Sequence, residues 1–313
     1  MKLSVIIPCY NEEGNVKLMH EKLSSALKDI KYELIFINDG SKDNTYNKLK
    51  EEYEKDKTHI KVINFSRNFG KDAAIYAGLS NSKGKYSVII DGDLQQNPNY
   101  LLKMIEFLDN NPEYDQVAMV NKKRPNESLL AKILKSTFYK FINRLSEIKF
   151  ENGASDFRML RKEMVKSIVS LSENNRFSKG IFAWVGYNTK YLPYEVEDRH
   201  SGKTKFNLIK SFKYAINGII NFSVKPLKIS TITGFLFSSI SFIYLIYILI
   251  STIVTGNPVP GYPSLICLIL FLGGLNLLAI GIVGEYISKM YLEVKDRPIY
   301  IAKNTLGFED EIL

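Results

Sequence analysis

The chain has 313 residues, and its 42 lysines and arginines exceed its 33 aspartates and glutamates to give a formal net charge of +9. This length suits one substantial domain plus an accessory part, and two distant cysteines, Cys9 and Cys267, argue against a disulfide framework. The positive charge leaves nucleic acid, anionic lipid and phosphorylated substrates as candidate partners, and the positions of the charges must decide among them.

Short apolar runs alternate with helical patterns through the first 120 residues. The predicted strands cover residues 3–7, 33–37, 60–65, 86–90 and 116–120, and the predicted helices cover residues 16–27, 44–54, 72–80 and 100–108. This alternation is typical of an α/β domain with a mostly parallel sheet and helices on both faces. The first strand begins at residue 3, so we expect no cleavable signal peptide.

Polar clusters follow four of the predicted strands, at residues 8–12, 38–41, 66–71 and 91–95. Ligands of open α/β sheets bind beyond the carboxyl ends of the strands, so the four clusters predict one binding site. The sequence has no Gly-x-Gly-x-x-Gly after the first strand and no phosphate-loop motif. This argues against a dehydrogenase and against a simple ATPase.

The fourth cluster contains two carboxylates, Asp91 and Asp93, on either side of Gly92, through which the chain is expected to turn. With the amide oxygen of Gln95 they form a set of hard oxygen ligands, which suits Mg²⁺ or Mn²⁺ holding a diphosphate. An ordinary acidic turn after a strand is the alternative interpretation.

The order of three segments resembles the family 2 glycosyltransferases of the GT-A fold. They are residues 4–13 (SVIIPCYNEE), 38–45 (NDGSKDNT) and 91–95 (DGDLQ). Residues 66–74 (SRNFGKDAA) narrow the resemblance to the polyprenyl-phosphate glycosyltransferases, which include dolichyl-phosphate mannose synthases and bacterial bactoprenol glucosyltransferases. The resemblance continues to Ile301, and it implies a GT-A nucleotide-sugar-binding domain.

The resemblance also implies roles for single residues. The positions matched to nucleotide-sugar binding are Pro8, Tyr10, Glu12, Asp39, Lys71 and Asp91, and those matched to the metal are Asp91, Asp93 and Gln95. A carboxylate suits the nucleoside because it accepts hydrogen bonds from a base N–H or a ribose hydroxyl. The metal would neutralise charge on the departing nucleoside diphosphate. A turn cap for Asp39 and a surface lysine for Lys71 are the alternatives.

Residues 153–158 (GASDFR) match the family segment whose aspartate lies at the reaction centre, so Asp156 is expected to be catalytic together with Asp93. A phosphate monoester loses its second proton near pH 6, and a lipid-phosphate acceptor therefore needs little help from a general base. Asp156 would either accept a residual proton or position the acceptor. A turn cap or helix-start cap is the alternative role for this residue.

Three basic side chains are candidates for binding the acceptor phosphate. Arg124 ends the basic run 122–124, and Arg199 and Lys205 belong to the loop 199–205 (RHSGKTK). That loop resembles the family's Arg-x-x-Gly-x-Ser-Lys segment, with Thr204 in place of the usual serine. Guanidinium and ammonium groups could bind the phosphate there, arginine in bidentate fashion; solvated basic loops are the alternative.

Four further segments are predicted outside the strand-and-helix alternation. An amphipathic helix is expected at residues 128–146 and a second one, with lysines beside its apolar face, at residues 206–222. Residues 229–254 and 264–283 carry no charge and are long enough to span a bilayer. Lysines and arginines flank this pair on one side, so the positive-inside rule places both termini in the cytoplasm.

The prediction as a whole is a membrane-anchored, metal-dependent glycosyltransferase. Its parts are a cytoplasmic GT-A domain (residues 1–205), an interfacial helix with linker (206–228), a two-helix transmembrane hairpin (229–288) and a cytoplasmic tail (289–313). A short strand at residues 299–301 of the tail would join a sheet edge of the enzyme domain or of a neighbouring subunit.

The predicted reaction transfers one sugar from UDP-glucose or a UDP-N-acetylhexosamine to undecaprenyl phosphate, with inversion. The product would serve outer-surface glycosylation, with a flippase and a surface glycosyltransferase as partners. The chain could also form a homo-oligomer. Nucleic acid is not an expected partner. A processive polysaccharide synthase is the nearest alternative, but its Gln-x-x-Arg-Trp motif is absent from the sequence. A lipid carrier and a non-catalytic nucleotide-sugar-binding scaffold are the others.

Overall fold

The computed structural model describes residues 1–121, 143, 151, 153–197, 223–255 and 261–308. The strands are β1 Leu3–Cys9, β2 Tyr32–Asn38, β3 Ile60–Phe65, β4 Tyr86–Ile89, β5 Gln116–Asn121, β6 Ala154–Arg161, β7 Thr189–Tyr194 and β8 Ala302–Leu306. The helices are α1 Val16–Leu27, α2 Thr45–Lys55, α3 Lys71–Ser80, α4 Tyr100–Asn110, α5 Lys162–Val169, α6 Ser178–Trp184, α7 Lys225–Thr255 and α8 Tyr262–Val294. The predicted amphipathic helices at 128–146 and 206–222 lie outside the described residues.

One sheet in the order β7-β5-β6-β4-β1-β2-β3-β8 organises the α/β domain. Strands β4, β1, β2 and β3 are parallel neighbours, and β7 is parallel to β5. The register pairs Cys9 with Asn38 and Ile6 with Ile89, so the carboxyl ends of β1, β2 and β4 meet at one edge. The predicted mostly parallel α/β fold is therefore confirmed.

Both faces of the sheet are covered by helices, which explains why its central strands are apolar along their whole length. Val5 and Ile7 belong to the core under α1, α2 and α4, whereas Ile6 belongs to the core under α3, α5 and α6. A Cβ added at Gly78 of α3 would overlap the Ile6 side chain. This close approach of α3 to β1 brings the amino end of α3 to the crevice edge.

Residues 154–161, where a cap was considered for Asp156, form a strand. β6 runs antiparallel between β4 and β5, with Phe157 and Met159 in one core and Leu160 in the other. A cap at Asp156 is therefore wrong, because successive residues of this segment face opposite sides of the sheet, as in a central strand. The sequence does not predict this strand, because polar residues interrupt its apolar pattern.

The C-terminal strand begins later than predicted. β8 starts at Ala302 and pairs antiparallel with β3 of the same chain, with Val62 opposite Leu306. The expected strand at 299–301 is wrong in position because Tyr300 stacks on the Phe65 ring, with 4.9 Å between the centroids. The segment before β8 thus packs on the core, and β8 covers the edge of β3 and becomes the edge strand of the sheet.

Two long apolar helices, α7 and α8, form the C-terminal hairpin. With 31 and 33 residues they are about 46 and 50 Å long, enough to cross a hydrocarbon core of about 30 Å. Their candidate spans, Lys225–Tyr244 and Phe271–Val294, are not buried inside the protein, and Phe235 and Ile253 are 76% and 82% exposed. Burial in a protein core is therefore excluded as the reason for their apolar composition.

A buried polar cluster joins the amino ends of the central strands, at the opposite end of the sheet from the crevice. The Glu33 carboxylate is fully buried and accepts hydrogen bonds from the Ser4 hydroxyl at 2.5 Å, Lys61 Nζ at 2.7 Å and the Lys83 N–H at 2.8 Å. Removing this carboxylate would leave several buried donors without their acceptor.

We therefore expect Glu33→Ala to destabilise the α/β domain by about 3–5 kcal/mol, the usual cost of removing one partner from a buried ion pair. Glu54→Ala is the control, since Glu54 pairs with Lys57 on the surface and exposed pairs contribute about 0–1 kcal/mol. Thermal unfolding of the detergent-purified chain measures both. Equal losses in the two variants would contradict the assigned role of Glu33.

Candidate active site

The turns after β1 and β2 are joined by hydrogen bonds. The Asn11 N–H donates to Ser41 Oγ at 3.0 Å, and the Lys42 N–H donates to Asn11 Oδ1 at 2.9 Å. The Glu12 N–H donates to Thr45 Oγ1 at 2.8 Å. Asn11 has a φ of 57°, a conformation that asparagine tolerates better than most residues. These bonds fix the two turns as one wall of the crevice.

Three residues predicted to contact the nucleoside lie along this wall. Pro8 is in β1, Tyr10 is 41% exposed, and Glu12 is partly buried with Oε2 accepting from Asn15 Nδ2 at 2.5 Å. The exposed Tyr10 ring follows the end of β1 directly, so it is available to stack on a base. The structure thus brings these residues to the same strand end.

Asp39 holds the loop that leads into α3. It is 4% exposed, and its carboxylate accepts hydrogen bonds from Asn68 Nδ2 at 2.9 Å, from the Phe69 N–H at 2.7 Å and from the Gly70 N–H at 3.1 Å. Burial raises the pKa of Asp39, and the Phe69 and Gly70 donors oppose that rise. This contact with the 68–70 loop was not foreseen from the sequence.

The turn after β4 is shaped by Gln96, which the sequence analysis missed. Its Oε1 accepts from the Asp91 N–H at 2.9 Å, and its Nε2 donates to Asp91 Oδ2 at 3.0 Å. The Gln95 N–H donates to Asp93 Oδ1 at 3.2 Å. Leu94 between them has a φ of 63°, a strain that costs about 1–3 kcal/mol. The doubled Gln sequence was the available signal, but it did not show which glutamine contacts Asp91.

Gln95 is also bonded to the segment that follows β7. The Glu197 N–H donates to the Gln95 carbonyl at 2.9 Å, and Gln95 Nε2 donates to the Glu197 carbonyl at 3.3 Å. Asn97 Nδ2 donates to Glu197 Oε1 at 2.7 Å. The predicted phosphate-binding residues Arg124, Arg199 and Lys205 lie outside the described residues.

Lys71 connects the turn after β4 with strand β6. Its Nζ lies 2.6 Å from Asp91 Oδ1 and 2.8 Å from Asp156 Oδ2. It is the first residue of α3 and follows Gly70, whose φ of 98° favours glycine. The structure therefore brings Lys71, Asp91 and Asp156 together from α3, the end of β4 and β6.

The charges in this group stabilise one another. Burial would raise the pKa of Asp156, but Lys71 and then Lys179 outweigh it and hold this pKa well below its usual range. Burial would lower the pKa of Lys71, but Asp91 and Asp156 outweigh it and hold this pKa well above its usual range. Asp156 is therefore ionised at neutral pH and is a weak base in this arrangement.

Helix α6 is attached to α3 beside this group. The Ser178 N–H donates to Asp72 Oδ1 at 2.9 Å. Burial raises the pKa of Asp72, and hydrogen bonds from Ser178 oppose the rise. Because Asp72 follows Lys71 in the first turn of α3, this bond places Lys179 where its charge acts on Asp156.

The oxygen ligands that follow β4 suit a metal ion that would also bind a substrate. Asp91 and Asp93 supply carboxylate oxygens and Gln95 an amide oxygen, whereas no group of three or more His, Cys, Asp or Glu side chains suited to a metal occurs in the described part of the chain. Mg²⁺ is usually held by one or two carboxylates together with substrate phosphates. The residues present therefore fit a divalent metal, which Asp91, Asp93 and Gln95 would hold and which would supply positive charge for a phosphate-bearing substrate.

The family model described as glycosyl transferase family 2 matches residues 4–169, just over half of the chain. The chain belongs to glycosyl transferase family 2. A second model, described as the GtrB C-terminal hairpin, matches residues 225–290, which cover α7 and most of α8. The resemblance predicted from the sequence is thereby confirmed, as is the expected glycosyltransferase activity.

Relatives of this glycosyltransferase match along nearly its whole length. The putative glycosyltransferase CsbB of Bacillus subtilis (strain 168) is 43% identical over 304 residues, which cover 96% of this chain and 91% of that protein. The SfII prophage-derived bactoprenol glucosyl transferase of Shigella flexneri is 40% identical over 310 residues, covering 97% and 98%. The solved structure of S. aureus TarS 1-349 with UDP-GlcNAc is 18% identical, covers 70% of this chain and 66% of that chain, and has a TM-score of 0.47.

Gln96→Leu should weaken Mn²⁺ binding in the presence of UDP by about 10- to 100-fold, the usual effect of losing a group that orients a metal ligand. The physical reason is that Asp91 loses the side chain that holds its carboxylate. Titration of the purified chain with Mn²⁺, followed by electron paramagnetic resonance, measures the affinity.

Gln116→Leu is the matched control, because Gln116 is also buried and donates to Thr189 Oγ1 at 2.6 Å, away from the β4 turn. Unchanged Mn²⁺ affinity in Gln96→Leu would show that Gln96 does not position a metal ligand.

Proposed function

We propose that this glycosyltransferase transfers one sugar from UDP-glucose or a UDP-N-acetylhexosamine to undecaprenyl phosphate, with inversion. The observation that carries the proposal is the contact of Lys71 with both Asp91 and Asp156 in a chain that ends in an exposed apolar hairpin. The relatives named bactoprenol glucosyl transferases, about 40% identical over 97% of the chain, favour glucose as the sugar and a bactoprenol carrier as the acceptor.

On this proposal the donor lies across the carboxyl ends of β1, β2 and β4. Pro8, Tyr10 and Glu12 bind the nucleoside, and Asp39 contributes there by holding the 68–70 loop. Asp91, Asp93 and Gln95 would hold Mg²⁺ or Mn²⁺ together with the diphosphate, where the cation supplies charge neutralisation for the leaving group. Lys71 supports the same phosphate charge from the α3 side.

The proposed chemical step is a single displacement. An oxygen of the acceptor phosphate forms a bond to the anomeric carbon, while the bond from that carbon to the UDP oxygen breaks and UDP leaves with the electron pair. The phosphate dianion has no proton to lose in this step, and the low basicity of Asp156 agrees with a positioning role. Lys71 reduces the repulsion between Asp156 and the phosphates. Arg124, Arg199 and Lys205 are proposed to bind the acceptor phosphate.

The hairpin is proposed to anchor the enzyme in the cell membrane, with the catalytic domain and both termini in the cytoplasm. Lysines border the hairpin at Lys225, Lys228, Lys289 and Lys295, and basic residues favour the cytoplasmic side. This orientation presents the crevice to cytoplasmic UDP-sugars and to the phosphate end of the lipid. A flippase and an outer-surface glycosyltransferase would then use the product.

The test is a transfer assay on the detergent-purified chain with undecaprenyl phosphate and Mn²⁺ or Mg²⁺. Radiolabelled nucleotide sugars are offered one at a time, and the organic phase is counted. We expect label from one UDP-sugar to be extracted, to disappear with a chelator, and to fall by about 100-fold or more in Asp93→Asn, as expected for the loss of a group that stabilises the leaving charge.

Donor binding without an extractable product for any sugar would overturn the assigned acceptor. Transfer that persists at the wild-type rate in chelator would overturn the metal. Asp29→Asn is the control variant, since Asp29 is exposed between α1 and β2, at the opposite end of the sheet from the crevice.

A further inference from the structure

The cytoplasmic end of the hairpin is bonded to the α/β domain by one carboxylate. Glu293 Oε2 accepts from the Asn174 N–H at 2.9 Å, and Glu293 Oε1 accepts from the Asn175 N–H at 2.9 Å. Each oxygen thus serves one of two consecutive backbone donors. Hydrogen bonds to an ionised acceptor are about twice as strong as neutral ones.

The position of Glu293 makes its carboxylate dependent on this contact. It is the last residue but one of α8, and a carboxylate at a helix C-terminus is disfavoured by the helix dipole. The two N–H donors of the 174–175 segment offset that cost. A neutral or basic residue would suit the helix end better if the contact were not needed.

The segment that Glu293 holds is stiff and leads to the active site. Arg176 donates to the carbonyls of Leu171 at 2.5 Å and Ile168 at 3.1 Å, and its guanidinium lies 4.4 Å from the centroid of the Tyr76 ring on α3. Ser178 then donates to Asp72. These contacts therefore hold the end of the hairpin and the first turn of α3, where Lys71 begins the helix, as one unit.

The chain after α8 contacts α3 as well as the loop that precedes it. The Ser66 N–H donates to the Ile301 carbonyl at 2.9 Å, and Tyr300 lies between Phe65 and Tyr76, with ring centroids 4.9 and 6.4 Å away. Ser66 opens the loop that ends at Lys71. The end of the hairpin is thus attached to both segments that position Lys71.

We propose that Glu293 is a positioning residue for transfer to a membrane-embedded acceptor: it fixes the hairpin to the 174–175 segment and so sets the Lys71–Asp156 group at a defined height above the bilayer. The proposal rests on the proposed lipid-phosphate acceptor. It concerns the height of the whole group above the bilayer and not the contacts within the group, so binding of the UDP-sugar and transfer to a soluble acceptor are not expected to depend on Glu293.

The variant is Glu293→Gln, which keeps the shape but places an amide NH₂ against one of the two N–H donors. With undecaprenyl phosphate in lipid nanodiscs we expect kcat/KM for the acceptor to fall about tenfold, because a small misplacement of reacting groups is costly. The KM for the UDP-sugar and transfer to a short detergent-soluble isoprenyl phosphate should stay within about twofold of wild type.

Glu285→Gln is the matched control, since Glu285 lies on the same helix but is exposed, whereas Glu293 is partly buried. Glu293→Asp should recover part of the loss because it keeps the carboxylate. Amide hydrogen exchange at Asn174 and Asn175 gives a readout independent of activity, and it should accelerate in Glu293→Gln and not in Glu285→Gln.

Two results would overturn the proposal. One is an equal loss for the embedded and the soluble acceptor; the other is unchanged exchange at 174–175 in Glu293→Gln. If wild-type protein transfers sugar to neither isoprenyl phosphate, the proposed function itself fails and the role of Glu293 falls with it. Wild-type transfer with a normal Glu293→Gln enzyme contradicts only the role of Glu293.

Discussion

One ammonium group joins the elements on which the site depends. Lys71 contacts Asp91 at 2.6 Å and Asp156 at 2.8 Å, and these carboxylates come from the end of β4 and from β6. Without a cation between them, two carboxylates that lie this close to one ammonium group would repel each other, and the pKa of one of them would rise. The loop held by Asp39, the bond from α6 to Asp72 and the packing of α3 on β1 all determine where that ammonium lies.

Much of the fold could be predicted from the sequence because its signals are local. The apolar runs at β1 to β5 and the helices between them follow from period and composition, and each agrees with the structure to within two residues. β6 was missed because its polar residues Ser155, Asp156 and Arg158 obscure the alternation of Phe157 and Met159. β8 was shifted because Tyr300 packs on Phe65 instead of entering the ladder.

The candidate site was predictable in its residues but not in its contacts. Strand-end clusters indicated Asp91, Asp93 and Lys71, and the family resemblance indicated Asp156. Only the antiparallel placement of β6 beside β4 brings Asp156 to Lys71. The attachment of Gln96 to Asp91 and of Glu293 to the 174–175 segment depends on side-chain geometry and on a sequence separation of up to 119 residues. Pattern and spacing carry no signal for contacts of that kind.

The measurement that tests the central claim most directly is the transfer rate of Lys71→Met beside that of Lys28→Met, an exposed lysine at the end of α1. If one ammonium holds Asp91 and Asp156 in a working arrangement, Lys71→Met should lose about 100-fold or more in kcat, the range seen when a charge-stabilising group is removed, while Lys28→Met stays at the wild-type rate. A folded Lys71→Met enzyme with wild-type kcat would contradict the claim that Lys71 organises the site.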